Sequence, residues 1–179
     1  MRRAPLAQAL VAAGLLAWCS PASAEVTSWL SVAGGASRLS LSGGGTPLKF
    51  QLPFDIGVGL PPSMPVIVGV GVKLLPYLVE GVDYAAYLRV ATRNYALGGF
   101  GAALDAGAYG RSFDGKSGGL LGVLNLGVPW GGIVSVNYGR DGDGRQTVGA
   151  TVGIDFLRLT VYRLAGEEQW PNVRPAWRP

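Results

Sequence analysis

The stretch "LKFQLPFDIGVGL" (48–60) carries a large apolar residue at every even position: Leu48, Phe50, Leu52, Phe54, Ile56, Val58 and Leu60. Between them stand Lys49, Gln51, Pro53, Asp55, Gly57 and Gly59. Successive side chains of a strand point to opposite faces, so this segment is a ribbon with one apolar face and one small, polar face. The fold has to be built from such ribbons, and the function depends on which face meets water.

The alternation recurs. In "PVIVGVGVKL" Val66, Val68, Val70, Val72 and Leu74 share a face, and in "VDYAAYLRV" so do Val82, Tyr84, Ala86, Leu88 and Val90. In "GFGAALDAGAYGR" Phe100, Ala102, Leu104, Ala106 and Ala108 oppose Gly101, Ala103, Asp105, Gly107, Tyr109 and Arg111. "GGLLGVLNLGV" and "GIVSVNYG" continue the pattern, the first less cleanly. The last ribbon, "QTVGATVGIDFLRLTVYR", has Val148, Ala150, Val152, Ile154 and Phe156 on one face; the apolar parity then slips to Leu157, Leu159 and Val161, which predicts a β-bulge. A similar slip falls near Gly34 and Gly35 in the first ribbon. The connections "SGGGTP", "PPSMP", "PYLVEG", "RNYALG", "FDGKSG", "PWGG" and "DGDGR" each have hairpin chemistry. The reading is all-β: eight antiparallel strands in an up-and-down meander, most of about 9–12 residues, where a membrane strand needs about 9–11. No apolar run reaches the roughly 20 residues of a membrane helix.

The chain opens "MRRAPLAQALVAAGLLAWCSPASA", with a charged start, an apolar stretch and a small-residue end, the pattern of a secretory signal peptide cleaved after Ala24. The expected organisation is a signal peptide over 1–24, a β-barrel domain over 25–163 and a tail over 164–179, where the alternation stops and three prolines appear. Cys19, the single cysteine, falls in the leader behind Trp18, so neither a disulfide nor a lipid anchor is expected. Without Arg2 and Arg3 there are 13 basic and 11 acidic residues, a net of +2 that gives no case for nucleic acid.

Two barrels can be made from these ribbons. A soluble, lipocalin-like barrel turns the apolar face inward around a small apolar ligand. A transmembrane barrel turns it toward lipid and keeps the small, polar face inside. A soluble exterior should be rich in Lys, Glu, Ser and Thr, yet the second face is mostly Gly and Ala with occasional charges. Those charges balance: Lys49, Lys73, Arg89 and Arg111 against Asp55, Asp83, Asp105 and Asp155. Buried charges must pair, and a balanced set on neighbouring strands permits it. The transmembrane reading therefore expects these eight as an interior network. It expects Phe50, Phe54, Ile56, Val68, Val70, Leu88, Phe100, Val136, Val152 and Ile154 to face lipid. Trp29, Trp130, Tyr77, Tyr95 and Tyr138 fall near strand ends, where aromatic residues at the headgroup level are expected.

With its leader, eight amphipathic strands and short turns, the chain resembles the small eight-stranded outer-membrane β-barrel proteins of Gram-negative bacteria, over about 27–163. The resemblance is one of pattern and not of a motif. It implies export by the general secretory route, insertion by the barrel assembly machinery and contact with outer-membrane lipid. Eight strands leave an interior that side chains can fill, so no open diffusion pore is expected, and the role expected in the cell envelope is structural or the passage of a narrow solute. The chain departs from the family in ending Trp177-Arg178-Pro179 in place of a terminal aromatic residue on the last strand. Its external loops, expected near 42–46, 76–81, 112–118 and 141–145, are short, which lowers an adhesive role.

There is no histidine among the 179 residues. That removes His-based triads, most zinc sites and the usual proton shuttles, so no enzyme and no cofactor are expected. "DGDGR" begins like a calcium loop, but Arg145 stands where a ligand belongs and Val152 where the loop needs Glu, so a hairpin turn is expected. "GFGAAL" lacks the third glycine of a dinucleotide fingerprint and is a strand. "SGGGT" has no lysine-threonine pair or helix after it and is a turn.

Overall fold

A computed structural model describes residues 26–160 apart from 42, 63, 115 and 116. Its strands are β1 (Thr27–Leu39), β2 (Leu48–Gln51), β3 (Phe54–Gly59), β4 (Val66–Tyr77), β5 (Gly81–Thr92), β6 (Gly101–Arg111), β7 (Gly118–Gly127), β8 (Gly132–Asp141) and β9 (Gln146–Asp155). Two one-turn helices, α1 (Arg93–Ala96) and α2 (Phe156–Thr160), and a 3-10 turn over Pro129–Gly131 complete it. Every pairing is antiparallel, and β9 returns to pair with β1, so the sheet is closed.

β2 and β3 are halves of one strand. The register does not change between them: Gly35 lies opposite Gln51, and Val32 opposite Phe54. The ladder is interrupted at Pro53, which has no N–H to donate, although its carbonyl still accepts from Ala33 at 2.9 Å. The barrel therefore has eight strands, as the alternation predicts.

The pairs also fix the stagger. Thr27 faces Gly59, then Gly69, Arg89, Asp105, Val123, Asn137 and Gly149 in turn around the wall. Gly149 faces Ser37, so the circuit returns to β1 ten residues beyond its start. Eight strands so staggered tilt by about 40° from the barrel axis. Every register pairs even with even, so in all strands even-numbered side chains point out and odd-numbered ones in. The outward set of β4, Val66 to Leu74, is exposed at every even position, and Ile67, Lys73, Leu75 and Tyr77 are buried.

Three expectations need correction. Among the described residues no bulge follows Ile154: β9 ends at Asp155, the slipped residues Leu157 and Leu159 belong to α2, and Val161 lies outside the described residues. No slip breaks β1, which runs unbroken for 13 residues; its outward positions Gly34 and Ala36 are simply small. "RNYALG" is not a tight turn but holds α1, capped by the Thr92 hydroxyl accepting from the N–H of Tyr95 at 3.3 Å.

The connections at 40–47, 78–80, 112–117 and 142–145 share one end of the barrel, the loop end. The start of β1, α1, the 3-10 turn and α2 share the other, the helix end. The expected leader (1–24) and tail (164–179) lie outside the described residues.

Candidate functional site

The interior is a set of cross-strand ion pairs set up by register. Asp55 lies directly opposite Lys73, Arg89 opposite Asp105, and Asp83 opposite Arg111. Arg89 is central. Its Nε and Nη2 donate to the two oxygens of Asp105 at 2.6 and 2.8 Å, and Nη2 also reaches Asp55 Oδ2 at 2.8 Å. Lys73 Nζ adds contacts to Asp105 at 3.3 Å and Asp55 at 3.8 Å. Asn125 Nδ2 donates to Asp105 Oδ2 at 2.9 Å, and Asn125 Oδ1 accepts from Ser135 Oγ at 2.7 Å. The remaining Asp55 oxygen accepts from the Tyr87 hydroxyl, which accepts from Trp29 Nε1 at 2.7 Å. All four charged groups are buried, Asp105 to 1% exposure. Opposite charges and further donors meet nearly every lone pair, the condition under which buried charges are tolerated.

Aromatic rings enclose this centre. The Arg89 guanidinium lies 4.5 Å from the Trp29 ring centre, 5.2 Å from Tyr87 and 5.8 Å from Tyr95. Trp29 fits because the facing wall is glycine: a Cβ on Gly57 would stand 2.3 Å from Trp29 Cζ2, and one on Gly69 2.5 Å from Trp29 Cη2. Close approach, and not a special dihedral, accounts for these two glycines.

Nearer the loop end, Arg111 holds Asp83 through two bonds of 2.9 and 2.8 Å and reaches Thr147 Oγ1 at 3.0 Å. Above it Leu39, Leu75 and Tyr77 pack together, with Phe113 edge-on to Tyr77. In the last hairpin Arg145 bridges Asp141 at 2.7 Å, Asp114 at 2.8 Å and Asp143 at 3.1 Å. A guanidinium thus occupies the place a cation would take in "DGDGR".

The structure separates two members of the expected network from the rest. Lys49 pairs with Glu80 at the loop-end rim, both partly exposed. Asp155 accepts the N–H groups of Leu157 at 3.0 Å and Arg158 at 3.1 Å, capping the first turn of α2. The helix then inserts Arg158 into the barrel mouth. Its guanidinium lies 4.4 Å from the Tyr95 ring centre and donates to the Gly99 carbonyl at 3.1 Å. Burial there lowers the pKa of Arg158 and pushes the Tyr95 phenol up to about 12.

Between these groups lie water-sized cavities of about 10–20 Å³. One lies under Arg158 and is lined by Thr27, Trp29, Arg89, Tyr95 and Asp155; a second is lined by Pro53, Asp55, Lys73, Asn125 and Ser135. A pocket for a small organic ligand is typically about 300–1,000 Å³.

The outer wall has the opposite chemistry. All ten outward residues singled out from the sequence are exposed, from Val68 at 44% to Phe100 at 71%. Apart from the phenols of Tyr84 and Tyr138, the polar side chains of the outward strand positions are confined to the ends: Ser28 and Thr92 toward the helix end, Arg38, Arg140 and Gln146 toward the loop end. Of the five aromatic residues expected at the ends of the wall, Trp130 and Tyr138 are exposed, whereas Trp29, Tyr77 and Tyr95 are buried inside. Tyr84, Phe100 and Phe156, all near strand ends, are exposed instead.

No family model, curated protein or solved structure matches the chain.

Proposed function

We propose that the protein is an exported, non-enzymatic β-barrel of the bacterial outer membrane, with a structural role in the cell envelope. One observation carries this reading: a closed barrel exposes an unbroken apolar belt while its charges are buried inside. Large exposed apolar patches on a water-soluble monomer rarely exceed a few hundred Å², but this belt encircles the molecule. Its height also fits. Ser28 and Arg38, the polar limits of the belt on β1, are ten residues apart. At about 3.3 Å per residue and a tilt of about 40°, they span about 25 Å along the axis, the height of the apolar band of outer-membrane barrels.

The packed interior favours a structural role over passage of a solute, and it argues against a lipocalin-like carrier, which needs an apolar cavity. The carboxylates of Asp55, Asp83 and Asp105 are held by Lys73, Arg89 and Arg111 and are not free for acid–base work. Outer-membrane lipid and, during insertion, the barrel assembly machinery are the partners of this reading. Cell fractionation tests it: the protein should sediment with membranes and resist extraction at high pH. Recovery from the soluble periplasm without detergent would sink it.

A further inference from the structure

The outward strand positions carry charge at two places among the described residues, Arg38 and Arg140, and both are cationic, exposed and at the loop end. Arg140 lies opposite Gln146, and Val148, the next outward residue of β9, lies opposite both Tyr138 and Arg38. Arg38 and Arg140 therefore stand on strands β1 and β8, two strand spacings and two residues of rise apart, about 12 Å across β9, with the Gln146 amide beside Arg140 and diagonal to Arg38. Neither makes an ion pair among the described residues. The carboxylates nearest in sequence, Asp141 and Asp143, are held by Arg145, and the Asp141 side chain is buried on the inward face. The corresponding outward positions at the helix end, Ser28 and Thr92, are uncharged.

Two guanidiniums and an amide on one face, above an apolar wall and without an acidic partner, match the chemistry of an anion lying at the top of that wall. Arginine binds phosphate through paired N–H donors, and anionic headgroups draw basic residues at a bilayer surface. Tyr138, one outward step below Arg140 and exposed, stands where amphipathic rings meet headgroups. We infer that Arg38, Arg140 and Gln146 form a binding site for the phosphorylated headgroup of a lipid in the leaflet at the loop end. The site rests on the membrane reading above, since only a bilayer presents such a group to the outer wall.

The test is native mass spectrometry of the purified full chain in non-ionic detergent, titrated with bisphosphorylated lipid A and with its phosphate-free form. Wild type should retain the phosphorylated lipid and not the other. Arg38→Gln with Arg140→Gln should lower occupancy about tenfold or more, as loss of charge-assisted contacts implies, and the double lysine variant should recover part of it. Heat-modifiable migration on gels checks that each variant is a folded barrel, and substitutions on a surface rim seldom disturb stability appreciably. Equal occupancy in wild type and the glutamine variant overturns the site. So does retention that ignores the phosphates, or displacement by millimolar inorganic phosphate, which would make it a general anion site. If wild type fails to enter bilayers, the membrane reading itself falls; entry into bilayers with equal lipid occupancy removes this site alone.

Discussion

Arg89 and Asp105 face each other across β5 and β6 and join through two hydrogen bonds of 2.6 and 2.8 Å inside the barrel. The pair depends on register, because a slip of one strand by one residue would carry its member of the pair to the outer wall and leave the other charge alone inside. Closure, parity and charge pairing are thus one property seen at three scales.

Asp105→Ala should therefore be costly. It leaves Arg89 and Lys73 sharing the single carboxylate of Asp55, and removing one partner of a buried pair typically costs about 3–5 kcal/mol. Asp143→Ala, at a side chain 77% exposed, should change stability by about 0.5 kcal/mol or less. Urea unfolding of the two variants in detergent, followed by tryptophan fluorescence, measures the difference. Similar values for both would mean that the interior charges are solvated.

Gly57→Ala should strain the centre, because the new methyl group would fall within 2.3 Å of the Trp29 ring. Overpacking of this kind typically costs about 1–3 kcal/mol. Pairing it with Trp29→Phe, which shortens the ring, should recover part of the loss in a double-mutant cycle. Purely additive effects would show that Trp29 does not lie on Gly57.

Alkaline pH should weaken the helix end. Burial pushes the Tyr95 phenol from 10.0 up to about 12, so between these values the folded protein keeps a proton that the unfolded chain releases. The stabilisation is complete below pH 10 and is lost as pH rises through 12. Tyr95→Phe should flatten the dependence of unfolding on pH across this window relative to wild type. A variant that loses stability between pH 10 and 12 as steeply as wild type contradicts the assignment.

Val70→Arg tests the wall. The residue is exposed, close to the middle of β4, and arginine at a bilayer midplane costs a barrel about 2–4 kcal/mol. The expected outcome is a loss of that size for folding into lipid vesicles. An indifferent variant would place the wall in water.

Much of this was legible in the sequence, and the rest was hidden for definite reasons. Strand number and the two faces follow from parity, because an uninterrupted period of two survives from Ser28 to Ile154. The membership of Asp55, Lys73, Asp83, Arg89, Asp105 and Arg111 in the interior follows from the same parity. Their partners do not, since pairing needs the register of each hairpin; Asp105 faces Arg89 because the β5–β6 hairpin is centred on Leu97. Charge balance makes Asp155 an interior partner, yet its place before a shift from period two to a helical pattern is an N-cap signal. Proximity to strand ends points Trp29 and Tyr77 to the wall, although their odd positions put them inside. Lys49 shares the inward parity, but it lies so near the rim that Glu80 in the next loop reaches it first.

The central property of the molecule is which face of its ribbons meets lipid. Its most direct measurement uses single cysteines carrying a fluorescent probe at Val70 and Val136 on the outer wall and at Ala85 and Ala103 inside; the lone Cys19 lies in the expected leader. In vesicles, a lipid-phase quencher should reach the probes at 70 and 136 while a water-soluble quencher does not. Cysteines at 85 and 103, buried among packed side chains, should resist bulky reagents until the barrel is unfolded. Quenching from water at 70 and 136 in the folded protein would contradict the membrane account.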